Sequence, residues 1–509
     1  MPFLAVVSEV NHWPFLVLIT TVTFVIAGIS MLRMHPFLAL ILAALLAGVM
    51  ADKLPVRASA KATDGDYGKY ITTVSEGKLA HAVKLTSTGF GETAGGVAIV
   101  IGMATIIGMC LMESGAADKV VRRFLAVCGE KPSGISLAIV VSTYILSIPI
   151  FFDSMFMLMI PIAMTMALRT GRDFTLYVLA ICAGGTITHS LTVPHPGPLF
   201  MVDNLKIDTG LSIWVGLAVG VVPMLVSWLA IQWLNRMTPI QLKEHSGTHF
   251  EAIRKLMNKP ESELPSLFAS LLPIVLPILL ISTTSVFEVV KGGYTPEGLG
   301  LSNSFVNFFG GMSGFMQTKG YVDFIGNKNM ALIIGAAISL WLLVKQRKLT
   351  LHNVGEMIGP PLETGGVIIL ITAAGGAFGY MLAQAGVGTA LGAWAKEHSS
   401  INLIVLSYAV AVVFRVAQGS ATVSMQTTSA MLASLAVALP YHPIYVFLAI
   451  GFGAIGFSWM NDSGFWVVSR LSGFTERETL RTWTVLLSII SVVGLALTLA
   501  LSKLLPFAG

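Results

Sequence analysis

The sequence predicts an all-α membrane protein that crosses the bilayer many times, and three observations support this fold class. Of its 509 residues, 55% are hydrophobic and 11% are charged, whereas soluble domains carry about 25% charged residues. The apolar segments are continuous runs long enough for membrane helices, and they do not alternate as β-barrel strands do. Helix-breaking and titratable residues interrupt several runs, which indicates broken helices around a polar site.

The remaining composition excludes several other classes of protein. The formal net charge of +5 arises in loops and does not indicate nucleic-acid binding. Cys110, Cys128 and Cys182 lack metal-ligand spacing and are predicted to be buried thiols. We therefore expect the lipid bilayer as a partner, no nucleic acid, no metal site and no cofactor. The first apolar run, residues 15–32, lacks signal-peptide features and is expected to remain as a span.

The second half of the chain resembles the first half. With a shift of 271 residues, Glu92, Gly95 and Gly108 coincide with Glu363, Gly366 and Gly379 without a gap. The same shift places residues 147–153 on 418–424 and residues 186–198 on 457–469. Because three stretches recur in the same order, we predict an internal repeat.

The distribution of lysine and arginine predicts the orientation of the two repeats. The basic segments can all lie on the cytoplasmic side if both termini are extracytoplasmic. The first repeat then starts inward and the second starts outward, so the repeats are inverted. The basic segments are Arg33, residues 119–131, Arg169 with Arg172, residues 235–264, residues 345–348 and residues 470–481.

These patterns divide the chain into five predicted segments. Residues 133–168 and 401–440 each begin and end on one side, which fits a re-entrant hairpin or two ordinary spans. We favour hairpins, because polar or helix-breaking residues lie at both centres. The segments are residues 1–91 (N-terminal scaffold spans and a polar loop), 92–234 (first repeat: a span, hairpin 133–168 and broken helix 174–201), 235–266 (cytoplasmic linker), 267–361 (scaffold spans and an extracytoplasmic loop) and 362–509 (second repeat: a span, hairpin 401–440, broken helix 443–470 and the last span).

The most unusual stretch is THSLTVPHPGP, residues 188–198. Its three prolines remove backbone donors and break the helix, and a broken helix survives in a membrane only against protein or a wet cavity. Secondary transporters use half-helix ends of this kind to bind anions and ions. The alternative is a proline-kinked span whose two histidines, His189 and His195, have structural partners.

Asp153, Arg415 and Asp462 lie inside apolar runs. A charged residue at that depth costs roughly 2.5–3.5 kcal/mol, so it requires a partner or a role. His189 and His195 add groups that titrate near neutral pH. The alternative for each is a structural ion pair or a capped helix end, as when Arg415 pairs with either aspartate. An inverted repeat would bring all five together at mid-membrane.

The same constellation suits a small organic anion that carries hydroxyl groups, such as a sugar acid. Helix N-termini favour negative charge, and a buried Asp153, Asp462 or His189 could carry a coupling proton. We therefore predict a substrate site with hydrogen-bonding side chains at the breaks. The predicted substrate-binding residues are Thr188, His189, His195, Arg415, Gln418, Gly419, Ser420, Thr422, Asn461 and Ser463, and Ser190 and Thr192 can also bind hydroxyl groups.

Enzymatic interpretations fit poorly. Five residues separate the two histidines, unlike the i, i+4 spacing of HExxH, and neither GxSxG nor a phosphate-binding loop occurs. We predict a transporter and not an enzyme. A passive anion channel, sodium coupling and an intramembrane hydrolase stay as alternatives.

Seven motifs between Gly89 and about Val485 carry a family resemblance: GFGETAGGVAIVIG, ESGAAD, IPIFFD, ITHSLTVPHPGP, RVAQGSATV, NDSGFW and ETLRTWTV. The chain resembles the gluconate permease (GntP-type) family of gluconate:proton symporters, within the ion-transporter superfamily. The resemblance implies inner-membrane uptake of gluconate or a related sugar acid or hydroxy acid with protons. It also implies a scaffold and a moving transport domain, a homodimer and an elevator-like motion. The motif positions are Asp153, His189, His195, Arg415, Gln418, Ser420, Thr422, Asn461, Asp462 and Ser463.

Overall fold

The computed structural model describes residues 12–56, 69–129, 131–242, 260, 263–292, 301–387, 390, 402–433, 441–460 and 462–505. These residues are mainly helical, and eight of their helices are long and apolar enough to cross a membrane. Five further apolar helices are shorter. The predicted all-α membrane class is thereby confirmed.

The helices are numbered here in chain order. A single pair of two-residue strands, β1 (Leu54–Pro55) and β2 (Tyr70–Ile71), occurs in the described part of the chain, and a 3-10 helix spans Val74–Glu76. The last helix contains a π-helical turn at Leu480–Thr484. The α-helices are α1 Trp13–Ser30, α2 Pro36–Met50, α3 Lys78–Glu113, α4 Ala116–Cys128, α5 Pro132–Leu146, α6 Phe152–Thr170, α7 Phe174–Leu191, α8 Pro196–Leu205, α9 Thr209–Met237, α10 Leu267–Gly292, α11 Leu301–Phe308, α12 Met312–Ile325, α13 Lys328–Arg347, α14 Leu351–Gln384, α15 Leu403–Gln418, α16 Ala421–Leu432, α17 Ile444–Ile455, α18 Ser463–Ser472 and α19 Glu476–Leu504.

Two predicted boundaries are wrong. The polar loop expected up to residue 91 ends earlier, because α3 already begins at Lys78. The first turns of α3 contain many polar residues and therefore look like a loop in the sequence. Ala82, Leu85 and Gly89 nevertheless follow helical spacing and are buried. The second long helix begins at Leu351, within the segment 267–361, and continues through Pro360 and the proline that follows it.

Smaller differences concern the extracytoplasmic loop and the cysteines. The loop predicted within residues 267–361 contains α11 and α12. Of the three predicted buried thiols, Cys110 and Cys182 are buried, whereas Cys128 is partly exposed at the end of α4.

Four helix pairs are interrupted where the sequence shows irregular centres. The interruptions lie at residues 147–151 between α5 and α6, 192–195 between α7 and α8, 419–420 between α15 and α16, and 456–460 with 462 between α17 and α18. Gly419 ends α15 with a left-handed φ of 78°, which glycine adopts without steric cost. Residues 401 and 434–440 of the predicted hairpin 401–440 lie outside the described residues.

The long helices α3 and α14 pack against each other in antiparallel directions. Gly89 contacts Tyr380 near the start of α3, and Thr105 contacts Gly365 further along it. At Gly376 a Cβ would lie 1.9 Å from the Thr93 Oγ1 atom. Small residues thus allow two membrane helices to approach closely.

The helices α7 and α17 form the most buried part of the fold. Every residue of α17 is buried, and every residue of α7 is buried except His189. The two central helices therefore hold the adjoining interruptions inside the protein, where unpaired backbone groups are shielded from lipid.

Candidate functional site between the helix interruptions

The four interruptions surround a cavity of about 240 Å³. Helices α6, α8, α16 and α18 each begin at this cavity, and the first residue of each one lines it. Because a helix N-terminus carries a partial positive charge and free N–H groups, four converging N-termini favour an anion. Of the residues predicted from the sequence, the cavity lining includes Asp153, His189, Ser190, Arg415, Ser420, Thr422, Asp462 and Ser463.

Arg415 and Asp462 form a buried ion pair at the cavity. The Arg415 Nη2 atom donates to the Asp462 Oδ2 atom at 2.5 Å, and the two side chains are only 4% and 8% exposed. The Arg415 Nη1 atom donates to the Gly419 carbonyl. The structure therefore contains the ion pair that sequence analysis weighed as the alternative interpretation, and it places that pair at the cavity wall.

Asp462 is also the N-cap residue of α18. Its Oδ1 atom accepts a hydrogen bond from the Gly464 N–H group at 3.0 Å, and its Oδ2 atom also accepts from Ser458 Oγ. The Trp483 Nε1 atom in turn donates to Ser458 Oγ at 2.7 Å. One carboxylate thus connects Arg415, the start of α18 and the last membrane helix.

Asp153 differs from Asp462 in its surroundings. It lies in the first turn of α6 and is exposed to the cavity. It forms no hydrogen bond or ion pair with any residue that the structure describes. A carboxylate without a protein partner in a membrane cavity is available to a ligand or a proton.

The two predicted histidines lie in different positions. The His189 side chain lines the cavity, whereas His195 lies behind it, with its Nε2 atom 2.5 Å from the Ser147 carbonyl oxygen. Their ring centroids are 4.5 Å apart, and Phe151 packs 5.5 Å from the His195 ring. The Nδ1 atom of each histidine is buried and has no hydrogen-bond partner among the described residues.

Several predicted residues do not line the cavity. The Thr188 hydroxyl donates to the Tyr144 carbonyl at 2.8 Å, so it joins α7 to α5. The Gly419 carbonyl accepts a hydrogen bond from Arg415. Thr192 is buried at the α7–α8 interruption. The Gln418 side chain and Asn461 lie outside the described residues.

Sequence analysis missed part of the wall. Ile368, Ile371 and Thr372 of α14 and Trp483 of α19 line the cavity. The three α14 residues carry no local signal, because they lie inside an apolar helix, and only its packing against the interruptions brings them to the site. Trp483 lies in the motif ETLRTWTV and in the π-helical turn Leu480–Thr484, but sequence analysis did not assign it to the site. Thr186, within the stretch 186–198, also lines it.

No group of three or more histidine, cysteine, aspartate or glutamate residues that could hold a metal ion occurs in the described part of the chain. The arrangement combines one guanidinium, two carboxylates, hydroxyl groups and four helix N-termini. Such a set can bind a hydroxylated anion and a proton.

The comparisons with known proteins agree with this chemistry. The sequence profile described as GntP family permease matches residues 13–505. The chain is 28% identical to the gluconate permease of Pseudomonas aeruginosa over 97% of this chain and 99% of that protein. It is 27% identical to the Gnt-II system L-idonate transporter of Escherichia coli over 85% of this chain and 91% of that protein.

A solved structure supports the fold. The YdaH transporter of Alcanivorax borkumensis superposes with a TM-score of 0.54, covering 98% of this chain and 100% of that chain at 12% sequence identity. At that identity the likeness concerns the fold alone. The family match along nearly the whole length confirms the resemblance carried by the sequence motifs. The chain therefore belongs to the GntP permease family, whose members are membrane transporters and not enzymes.

Proposed function

We propose that the protein imports gluconate or a related sugar acid across the inner membrane by proton symport. The substrate class follows from the relatives, which are named for gluconate and L-idonate. It also fits the cavity, where helix N-termini face a negative group and hydroxyl side chains face alcohol groups.

The observation that carries the proposal is the balance of charges in the cavity. Arg415 supplies one positive charge, and Asp153 and Asp462 supply two negative charges when ionised. A substrate carboxylate would add another negative charge in a space of about 240 Å³. Because like charges in a desolvated site repel each other strongly, anion binding favours the entry of a proton.

Asp153 is the residue that we assign to this proton. Asp462 already accepts hydrogen bonds from Arg415, Ser458 and the Gly464 N–H group, so its charge is compensated. Asp153 has no such partner in the described part of the chain. A proton on Asp153 would reduce the repulsion of the substrate without disturbing the ion pair.

Uptake of radiolabelled gluconate into proteoliposomes tests this proposal. An inward proton gradient should drive accumulation, and an inward sodium gradient at equal pH should not. If sodium alone drives accumulation, or if gluconate only equilibrates, the sodium-coupled transporter or the passive channel replaces the symporter. Absence of uptake for gluconate and a panel of aldonates would reject the substrate class.

The variant Asp153→Asn sharpens the test, because the amide mimics a protonated carboxyl group that cannot release its proton. We expect gradient-driven uptake to fall at least about tenfold, which corresponds to about 1.4 kcal/mol, while exchange of internal for external gluconate persists. Asp203→Asn is the matched control, since Asp203 pairs with Lys328 outside the cavity. Normal driven uptake by Asp153→Asn would exclude Asp153 as the proton carrier.

We further propose that two inverted repeats provide the alternating access. Shifted by 271 residues, the bounds 78 and 113 of α3 become 349 and 384, and α14 spans Leu351–Gln384. The bounds 132 and 146 of α5 become 403 and 417, and α15 spans Leu403–Gln418. The antiparallel contact between α3 and α14 supports opposite orientations of the two units.

The two units differ in how their hairpins meet the long helices. Helix α14 packs against α16, whereas α3 makes no comparable contact with α6. At the corresponding glycines, a Cβ on Gly379 would lie 2.2 Å from the Ala430 Cβ, and one on Gly108 would lie 3.6 Å from an Ile150 side-chain atom. Shifted by 271, Ile150 corresponds to residue 421, nine positions before Ala430.

The first unit, where α3 and α6 lack this contact, borders a second cavity of about 420 Å³. It lies between α3, α14 and residues 149–154, and Phe151 lines both cavities. At its edge, Glu113 at the end of α3 pairs at 2.8 Å with Arg347 in the basic last turn of α13. By the positive-inside rule, the site in this conformation faces the cytoplasm.

We infer that during transport the first unit adopts the tight packing seen at Gly379, and the second unit adopts the looser packing seen at Gly108. Nine helical residues correspond to a slide of about 13 Å, an elevator-like displacement. In the other state Gly108 would face Met159, the counterpart of Ala430. In a background without native cysteines, the pair G108C/M159C should then cross-link and arrest uptake reversibly. The control pair G108C/I150C should cross-link in the conformation described here. Failure of the first pair to cross-link during turnover would contradict the exchange.

Two further parts of the proposal concern assembly, which follows from the family resemblance, and orientation, which follows from the distribution of lysine and arginine. We propose a homodimer, to be tested by light scattering of the purified protein in detergent. We also propose that both termini are extracytoplasmic, to be tested by labelling single cysteines placed at each end of the chain in intact cells. A monomeric mass or cytoplasmic labelling would refute the respective proposal.

A further inference from the structure

One threonine in α14 departs from the usual behaviour of helical threonines. Thr86 and Thr105 in α3 and Thr364 in α14 donate to a backbone carbonyl about one turn earlier, at 2.9, 2.8 and 3.2 Å. The Thr372 hydroxyl is buried and has no hydrogen-bond partner among the described residues. Thr372 is one of the residues around the 240 Å³ cavity, so its buried hydroxyl lies next to whatever occupies that space.

The Gln426 side chain is a second unpartnered polar group nearby. Both amide atoms are buried without a hydrogen-bond partner in the described part of the chain. The Gln426 Oε1 atom lies 2.9 Å from the position that a Cβ on Gly375 would take. Gly375 follows Thr372 by three residues on one helix face, where Cβ positions lie about 5–6 Å apart. The amide and the hydroxyl therefore lie within about one helical turn of each other.

Both groups adjoin the cavity wall that carries no charge. The part of α14 that lines the cavity consists of Ile368, Ile371 and Thr372. In α16, Val423 lines the cavity, and Gln426 follows it by three residues. Glycine at position 375 leaves the room that the amide occupies. A hydroxyl and an amide each donate and accept, which matches alcohol groups and not a carboxylate.

Buried polar groups without partners cost free energy, and native proteins satisfy nearly all of them. We propose that Thr372 and Gln426 form a subsite that recognises hydroxyl groups of the substrate's polyol chain, while the helix N-termini and Arg415 face its carboxylate. This inference rests on the proposed function and names the part of the site that determines specificity. A site built to bind a hydroxyl rejects an analogue that lacks it.

The test uses Thr372→Val, which keeps the shape of the side chain and removes the hydroxyl. We expect the KM for gluconate to rise about 10- to 100-fold, with the maximal rate and the proton dependence unchanged. Thr372→Ser should restore the KM, because it returns the hydroxyl. Thr498→Val is the control: Thr498 is buried, and its hydroxyl donates to the Gly494 carbonyl at 2.7 Å.

Monodeoxy analogues of gluconate separate recognition from structural support. The unaltered protein should discriminate against the analogue that lacks the recognised hydroxyl, and Thr372→Val should lose that discrimination while retaining the others. Gln426→Leu should give the same pattern for the same or a neighbouring hydroxyl. Unchanged KM and unchanged discrimination in both variants would overturn the subsite. That result would leave proton-driven uptake by the unaltered protein intact, so the two proposals fail separately.

Discussion

The Asp462 carboxylate offers the sharpest measurement, because the structure gives it both a structural and a functional position. We consider Asp462→Asn, which is nearly isosteric. The variant keeps the oxygen that caps α18 through the Gly464 N–H group. It replaces the oxygen that accepts from Arg415 and Ser458 with an NH₂ group that can only donate. The Arg415 guanidinium then faces a donor in a buried site.

The expected loss of stability is large. Removing one partner of a buried ion pair costs about 3–5 kcal/mol, because the other charge stays buried and uncompensated. Solvent screening reduces this figure little, since the two side chains are 4% and 8% exposed. Replacing both partners by apolar residues of similar volume is often neutral. Leucine at position 462 also removes the N-cap of α18, which costs about 0.5–2 kcal/mol. The double variant R415M/D462L should therefore recover part of the stability and none of the transport.

Equilibrium unfolding in mixed detergent micelles would measure the free energy, and proteoliposome uptake would measure the function. Asp203→Asn serves as control, because its ion pair with Lys328 is partly exposed and such pairs contribute about 0–1 kcal/mol. If Asp462→Asn changes the free energy of unfolding by less than about 1 kcal/mol, the ion pair is not the structural element described here. If R415M/D462L transports gluconate normally, neither residue belongs to the substrate site.

The other predictions concern pH, packing and the guanidinium. Two backbone N–H groups lower the pKa of Glu76 below its ordinary value. The stability that Glu76 adds to the start of α3 is therefore present above the ordinary carboxyl pKa of about 4.3 and is lost as pH falls through the lowered pKa. Hydrogen exchange in residues 74–80 at pH 6 and pH 3 should show this loss, and Glu76→Gln should abolish the pH dependence. Gly376→Ala should destabilise the folded protein by about 1–3 kcal/mol, because the new Cβ would lie 1.9 Å from Thr93. Gly366→Ala in the same helix should leave the stability unchanged, because its Cβ would meet nothing within 4 Å. Equal unfolding midpoints for the two variants would contradict this packing. Arg415→Lys should raise the KM for gluconate at least about tenfold, because lysine cannot bridge a carbonyl and a carboxylate with two nitrogens; an unchanged KM would show that the bridge is dispensable.

Much of the fold could be predicted, because helices that cross a membrane require long apolar runs, and these runs are visible in the sequence. Long apolar runs identify spans without reference to their neighbours. The helix interruptions were predictable at proline, glycine and charged residues, since in lipid such residues require a protein or aqueous partner. The start of α3 at Lys78 was missed, because amphipathic turns at a helix end resemble a polar loop.

The candidate site was predictable only as a set of residue types. Asp153, His189, Arg415 and Asp462 stand out because titratable groups are rare in apolar runs. Thr372 and Gln426 do not stand out, because their side chains are uncharged and neither residue breaks a helix. Their importance depends on having no partner, which is a property of the packing.

The sequence by itself determined that this chain is a polytopic helical membrane protein with polar breaks in four places, because hydrophobic length and helix-breaking residues are local properties. Its motifs carried the resemblance to the GntP permease family. Only the tertiary structure decided that Arg415 pairs with Asp462 while Asp153 stays free of a described partner, that His195 lies behind the cavity, and that Thr372 faces it. Partner choice among buried polar groups depends on distances between separate segments of the chain, such as those of Arg415 and Asp462, which are 47 residues apart. Those distances follow from how the helices pack and not from any one segment.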